Sequence, residues 1–289
     1  MVVAAVLFGS TFVPVQDAIR HAGTLPFLAV RFLFGAAVLA AVAGQRAGWH
    51  RWWDARTVVA GVRCGVPLLA GYILQTAGLR FTTSSVSAFV TYLLVVMVPL
   101  LEAGTRRRLP AVGVLAGVVV ATVGLFLLTG AHLSVGRGVA LTLGCAAAFA
   151  VNIIEIDRAV SRNGPARPVD AVSLATVQLA VVGLGSLVPG LFLGGYAMPA
   201  GSVLAALYTG IAASAMAFGL QVWGQRRVGP TRTSLLLMVE PVTAAVIGWF
   251  TGARLGALAA GGAFLILVGI ALSEAGPGGL HPIGRSADT

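Results

Sequence analysis

Residues 111–128 make up eighteen consecutive positions without one charged side chain. About 20 apolar residues are enough for a helix to cross a bilayer, and runs of this kind recur along the whole chain. That ruler gives ten expected spans, at 2–20, 25–44, 57–79, 82–103, 110–129, 138–157, 171–194, 201–225, 230–252 and 255–273. A barrel strand must alternate lipid-facing and lumen-facing residues, and these runs do not alternate. The gaps between them are too short to hold a soluble domain. The expected fold class is therefore all-α integral membrane, with ten transmembrane helices.

Composition supports that class. Charged residues are 10% of the 289 positions and hydrophobic residues 58%, whereas a soluble domain carries roughly 25% charged residues. The formal net charge is +10, and every basic residue is arginine. On a soluble chain such a balance would suggest nucleic acid. Here the arginines sort by connection. Even-numbered connections hold twelve (Arg46, Arg51, Arg56; Arg106, Arg107, Arg108; Arg158, Arg162, Arg167; Arg226, Arg227, Arg232), and odd-numbered ones hold four (Arg20, Arg80, Arg137, Arg254). That is a positive-inside asymmetry. It predicts a multi-pass protein of the cytoplasmic (inner) membrane with both termini cytoplasmic, and it removes the need for a nucleic-acid partner. Trp49, Trp52 and Trp53 in the first cytoplasmic loop fit an interfacial belt. Neither end reads as a signal peptide or a lipidation signal. The tail 274–289 is rich in Gly and Pro and is expected to be disordered.

The chain divides near 130–136 into two five-span units, 1–129 and 138–273. Leu74-Gln75-Thr76-Ala77-Gly78 near the end of the third span matches Leu220-Gln221-Val222-Trp223-Gly224 near the end of the eighth. Arg80 and Arg226 follow at the same offset. A proline-bearing span comes next in each half, with helix kinks expected at Pro99 and Pro241, although that spacing differs by four residues. Five spans is an odd number, so the second unit is expected to be inverted in the membrane, a recurrent transporter design with its site where the halves meet.

Further motifs add to this. Phe8-Gly9-Ser10-Thr11-Phe12-Val13 and Arg31-Phe32-Leu33-Phe34-Gly35-Ala36 resemble the WGSTF and RFLLA segments of the drug/metabolite transporter superfamily, in particular EamA-type proteins. Ser87-Ala88-Phe89-Val90-Thr91 with Val98-Pro99-Leu100 is similar to the fourth helix of that family's first unit. Gly229-Pro230-Thr231-Arg232 with Val239-Glu240-Pro241-Val242 is similar to the fourth helix of its second unit. Phe8 replaces the family's usual Trp. Gly252-Ala253-Arg254 stands where the family often has a Gly-Glu pair, so no role of that acid is carried over. The resemblance implies export of metabolites, amino acids or toxic compounds.

Ionisable groups within the bilayer are costly, about 2.5–3.5 kcal/mol each at a helix centre on insertion scales, so the deep ones are candidates. Glu240 lies about 15 Å along its span at the helical rise, near the midplane. Pro241 follows it, and a local kink is expected because a proline donates no backbone hydrogen bond. A carboxyl there could exchange a proton for a cationic substrate and couple export to the proton gradient. It could equally be a structural carboxyl bonded across helices. Asp17 and Arg31 are expected at similar depth on neighbouring spans, as an outer gate, a static ion pair, or a snorkelling arginine. Glu155 is a candidate for the inner vestibule. Ser10, Thr11, Gln75, Thr91, Tyr92, Asn152 and Gln221 could face a shared cavity or bond helix to helix.

Other chemistry is missing from the pattern. No phosphate-binding loop of the Walker type is present, so ATP is not expected as the energy source. His21, His50, His132 and His281 lie outside the spans. No Ser/His/Asp or metal-ligand constellation is visible, so no enzyme activity, cofactor or metal is expected. Cys64 and Cys145 read as small packing residues. The expectation is a secondary transporter of small molecules, partnered by lipid bilayer and substrate, with protons and self-association left open. The alternatives are a facilitated exchanger or uniporter, or, in another class, a membrane-embedded ligand-binding or lipid-processing protein.

Overall fold

A computed structural model describes residues 1–47, 53–106, 111–130, 136–161, 168–193, 195–252 and 256–275. Trp49, Trp52, Arg51, Arg107, Arg108, Arg162, Arg167, Arg254 and the tail from 276 onward lie outside the described residues. The start of the expected tail, Glu274 and Ala275, is helical.

Every element among the described residues is a helix. In chain order they are α1 (Val2–Ser10), α2 (Phe12–His21), α3 (Thr24–Ala47), α4 (Ala55–Gly78), α5 (Ser84–Tyr92), α6 (Leu94–Arg106) and α7 (Val112–Thr129). Then come α8 (Arg137–Val160), α9 (Ala171–Leu193), α10 (Ala200–Thr209), a π-helical segment (Gly210–Ala217), α11 (Phe218–Val228), α12 (Pro230–Leu237), α13 (Val239–Phe250) and α14 (Ala257–Ala275). Among the described residues, nine helical stretches are long and apolar enough to cross a membrane.

The first expected span is not among the nine. It divides at Thr11 into two helices of nine and ten residues. The cause is local. Pro14 lacks the N–H that would bond the Ser10 carbonyl. The Ser10 hydroxyl donates back to Leu7 O at 2.9 Å and the Thr11 hydroxyl to Phe8 O at 2.9 Å, so the turn tightens. Two more of the ten expected spans are interrupted. The fourth breaks at Leu93, through a tight turn in which Leu93 N–H bonds Val90 O at 3.2 Å. Helix α6 then continues unbroken through Pro99, so the interruption in this span lies six residues before the proline from which a kink was expected. In the ninth stretch, α12 ends at Leu237 and α13 begins at Val239, just ahead of Pro241.

Helix pairing survives an exchange of the two halves. The exchange swaps α1–α2 with α8, α3 with α9, α4 with α10–π–α11, α5–α6 with α12–α13, and α7 with α14. Helix α4 packs on α8, and α1–α2 packs on α10–π–α11. Helices α5 and α6 pack on α8, as α12 and α13 pack on α1. The pairs α3–α9 and α7–α14 map onto themselves.

The α7–α14 seam is the closest. A Cβ on Gly117 would lie 2.4 Å from Gly269 O, and one on Gly262 would lie 2.5 Å from Gly124 O. Glycine is required there because backbone meets backbone. Large apolar side chains such as Val119, Leu184, Phe192, Phe250 and Phe264 are exposed on the outside, as expected of a surface facing lipid rather than water.

Candidate functional site

The three helix interruptions meet at one place. Thr11, Tyr92 and Leu237 each stand at or beside a break, and all three line a cavity of about 290 Å³ between the halves. Discontinuous helices of this kind are how membrane proteins place polar groups at depth without exposing backbone to lipid.

The first half contributes Arg31 from α3, Tyr72 and Gln75 from α4, and Tyr92 from α5. The second half contributes Asn152 from α8, Gln221 from α11 and Glu240 from α13. The side chains of Glu240 and Tyr92, one from each half, both face the cavity, close enough to act on each other. Helix α1 can reach Glu240 because Gly9 has no side chain. A Cβ there would lie 2.6 Å from the Glu240 carbonyl oxygen.

Arg31 is the buried cation of the cavity, 6% exposed. Its Nε donates to Ser214 Oγ at 3.1 Å, and its guanidinium carbon stands 5.1 Å from the Phe32 ring centroid. It is close enough to Glu240 for the two charges to act on each other. Ser214 belongs to the π-helical segment, a form frequent at functional sites. Gly35, one turn after Arg31, lets α3 lie against that segment, since a Cβ at Gly35 would meet Ser214 Cβ at 2.6 Å.

Smaller hydrogen bonds fix the wall. Gln75 Nε2 donates to Thr91 Oγ1 at 3.3 Å, and Asn152 Nδ2 donates to Cys64 O at 2.8 Å and Gln178 Oε1 at 3.3 Å. The apolar side is aromatic. Phe8 meets Phe218 edge-on with centroids 4.9 Å apart, Phe32 meets Tyr72 at 5.0 Å, and Tyr72 meets Phe149 at 5.3 Å. A cavity with one cation, one acid, several amides and hydroxyls and an aromatic face suits a small amphipathic molecule.

Of the expected site residues, Glu240, Thr11, Gln75, Tyr92, Asn152, Gln221, Arg31 and also Thr91 come together here. The repeat-related glutamines, Gln75 and Gln221, share the cavity. Ser10 does not line it and bonds its own helix instead. The Asp17–Arg31 ion pair does not form among the described residues. Asp17 is exposed on α2 while Arg31 points inward to Ser214. Equal depth on two helices says nothing about which way each side chain faces. Glu155 lies in a separate concavity with Arg63 and Arg158.

Tyr72, Ser214 and the aromatic wall were missed. Tyr72 was within reach, because Leu68, Tyr72, Gln75, Thr76 and Leu79 lie on one helical face and all line the cavity.

Comparison with known proteins agrees with this architecture. The family model described as the EamA-like transporter family matches residues 1–130 and again 136–274, one copy per half. A curated relative from Archaeoglobus fulgidus, described as an uncharacterized transporter, is 27% identical over 165 residues, which is 57% of this chain. The match spans 50% of that relative's length. A crystal structure superposes with a TM-score of 0.79 at 21% identity, covering 93% of each chain. At that identity the likeness is one of fold.

Proposed function

Because the chain belongs to the EamA-like transporter family, we propose that it is a secondary active exporter of small organic molecules in the cytoplasmic membrane. The two five-helix halves are inverted relative to one another, with α1–α2 acting as the tenth span, and both termini are cytoplasmic. Substrate binds in the cavity between the halves, which alternately opens inward and outward.

The observation that supports this best is the Glu240–Tyr92 contact in the cavity. An acid of one half faces a hydroxyl of the other. Protonation or a cationic group of the substrate changes that contact, and with it the preference between the two openings. A coupling group must have this property, because a ligand shifts a conformational equilibrium only through its different interactions with the two states. The Tyr92 contact also supports a second reading, in which Glu240 is a fixed cross-link and the protein is a facilitated exchanger.

Untargeted profiling of the medium of cells expressing wild type, Glu240→Gln or no transporter tests the first reading. A metabolite that accumulates outside with wild type alone identifies the cargo. Its flux in proteoliposomes should then follow the imposed pH gradient in wild type. Glu240→Gln should lose that dependence and fall about tenfold or more, the equivalent of one hydrogen bond to a charged group. Gradient-independent flux in wild type would leave the exchanger. If no metabolite differs, export of an endogenous molecule is wrong.

A further inference from the structure

The second concavity has no part in the cavity between the halves. It measures about 480 Å³ and lies on the outer surface, where the first turns of α4 meet the last turns of α8. Its charged lining is Arg56, Arg63, Arg158 and Glu155, three positive groups against one negative. Glu155 draws two of the arginines together. Arg63 bonds it at 3.1 Å, and Arg158 bonds its other oxygen.

Glu155 satisfies only part of this cluster. An arginine has five N–H donors, and the side chains of Arg63 and Arg158 are 63% and 48% exposed, against 13% for Glu155. Arg63 lies eight residues beyond the start of α4, about 12 Å along the helix at its rise. On the same face Val59, Val62 and Val66 are exposed, so this is the lipid-facing side. Trp53 is exposed at the foot of the helix, at the level where aromatic side chains mark the membrane boundary. Guanidinium donors are thus presented to lipid about two turns in from the start of α4, and exposed Val66 and Ile73 continue that face deeper, left uncovered by any other helix among the described residues.

We propose that this concavity binds the headgroup of an anionic phospholipid of the inner leaflet. The phosphodiester accepts paired hydrogen bonds from Arg63 and Arg158, with Arg56 at the rim. The geometry of a planar guanidinium suits that contact. One acyl chain runs deeper, along Val66 and Ile73. Glu155 holds the two arginines at a common spacing and keeps their charge from driving them apart. The inner leaflet follows from the orientation proposed above. The binding itself is independent of transport, so its test stands apart from that of the export reading.

The test uses purified full-length protein in a non-ionic detergent, with dioleoylphosphatidylglycerol, dioleoylphosphatidylcholine or inorganic phosphate added. Native mass spectrometry counts bound lipid, and the thermal midpoint reports stabilisation. Wild type should retain phosphatidylglycerol and be stabilised by it, with little response to phosphatidylcholine or phosphate. Arg56→Gln with Arg158→Gln leaves the Arg63–Glu155 pair intact. It should weaken phosphatidylglycerol binding roughly 30-fold, about fivefold per arginine near the headgroup surface. Arg56→Gln alone, on the exposed first turn, should give about the fivefold step, and it keeps the test open if the double variant misfolds. Arg227→Gln is the control. Its guanidinium stacks on Trp223 at 4.3 Å, outside the concavity. An equal loss in Arg227→Gln, or no preference for phosphatidylglycerol in wild type, overturns the proposal. So does full stabilisation by inorganic phosphate alone, which would make the concavity a soluble-anion site.

Discussion

At the scale of the residue, the cavity separates charge from the groups that aim it. Arg31 supplies the positive charge and Ser214 fixes where it points, through one hydrogen bond at 3.1 Å. The two should therefore fail differently. Arg31→Gln removes a charged partner and should raise the KM for transport about tenfold or more. Ser214→Ala keeps the charge in the cavity and only loosens its aim, so the substrate feels the loss indirectly and KM should rise only about two- to tenfold. Measuring concentration dependence of flux in proteoliposomes separates them. Equal KM values in wild type and Arg31→Gln would reduce Arg31 to a packing role. Glu240 was legible in the sequence because an acid in an apolar run stands out against its neighbours. Arg31 was equally visible, but its partner was not. Ser214 lies 183 positions away, and nothing local marks it. The aromatic wall was hidden for the opposite reason, since phenylalanines in a membrane helix look like any lipid-facing or core position.

At the scale of the element, neighbouring glycines in α14 answer to opposite constraints. Gly262 sits in the seam, where a Cβ would approach Leu128 N at 2.4 Å, whereas a Cβ on Gly261 meets nothing within 4 Å. Neither backbone atom on α7 can move aside cheaply. Gly262→Ala should lower stability by about 1–3 kcal/mol, the usual effect of overpacking. Gly261→Ala should be neutral or raise it by up to about 1 kcal/mol through helix propensity. Thermal unfolding in detergent reads both, and equal effects would count against the seam as described. The long helices were legible because lipid forces backbone hydrogen bonds inside each span, so the apolar ruler needs no tertiary knowledge. The breaks were harder. The one at Thr11 depends on hydroxyls folding back at Ser10 and Thr11, and the one at Leu93 falls well before the proline that drew attention. The π-helical turn is set by how α3 packs across Gly35 and Gly210, which only the folded chain contains.

At the scale of the whole molecule, the two halves enclose polar and thiol groups that water does not reach. Cys64 and Cys145 are both fully buried. Intact protein should therefore give no labelling with a membrane-impermeant maleimide, and both thiols should react once heat or denaturant opens the bundle. Following that reaction along a temperature ramp gives the unfolding midpoint without an added probe. Rapid labelling of the native protein would mean that the helices around α4 and α8 part far more often than the packing implies. The pairing of helices across the halves was legible only as an expectation from the odd number of spans per unit. Which helix touches which was not, because lipid-facing and partner-facing sides of a membrane helix are both apolar.

The glycine seam of α7 and α14 has a consequence for how such a protein can diversify. Four glycines there, Gly117, Gly124, Gly262 and Gly269, leave no volume to trade, and none of them borders the cavity. The cavity is walled by side chains from other helices, where exchanging one amide or ring for another alters shape and polarity without touching the frame. On the proposed function, cargo preference and mechanical soundness are therefore written in separate sets of positions. A lineage could change what it moves many times over while the girder that holds it together stays the same.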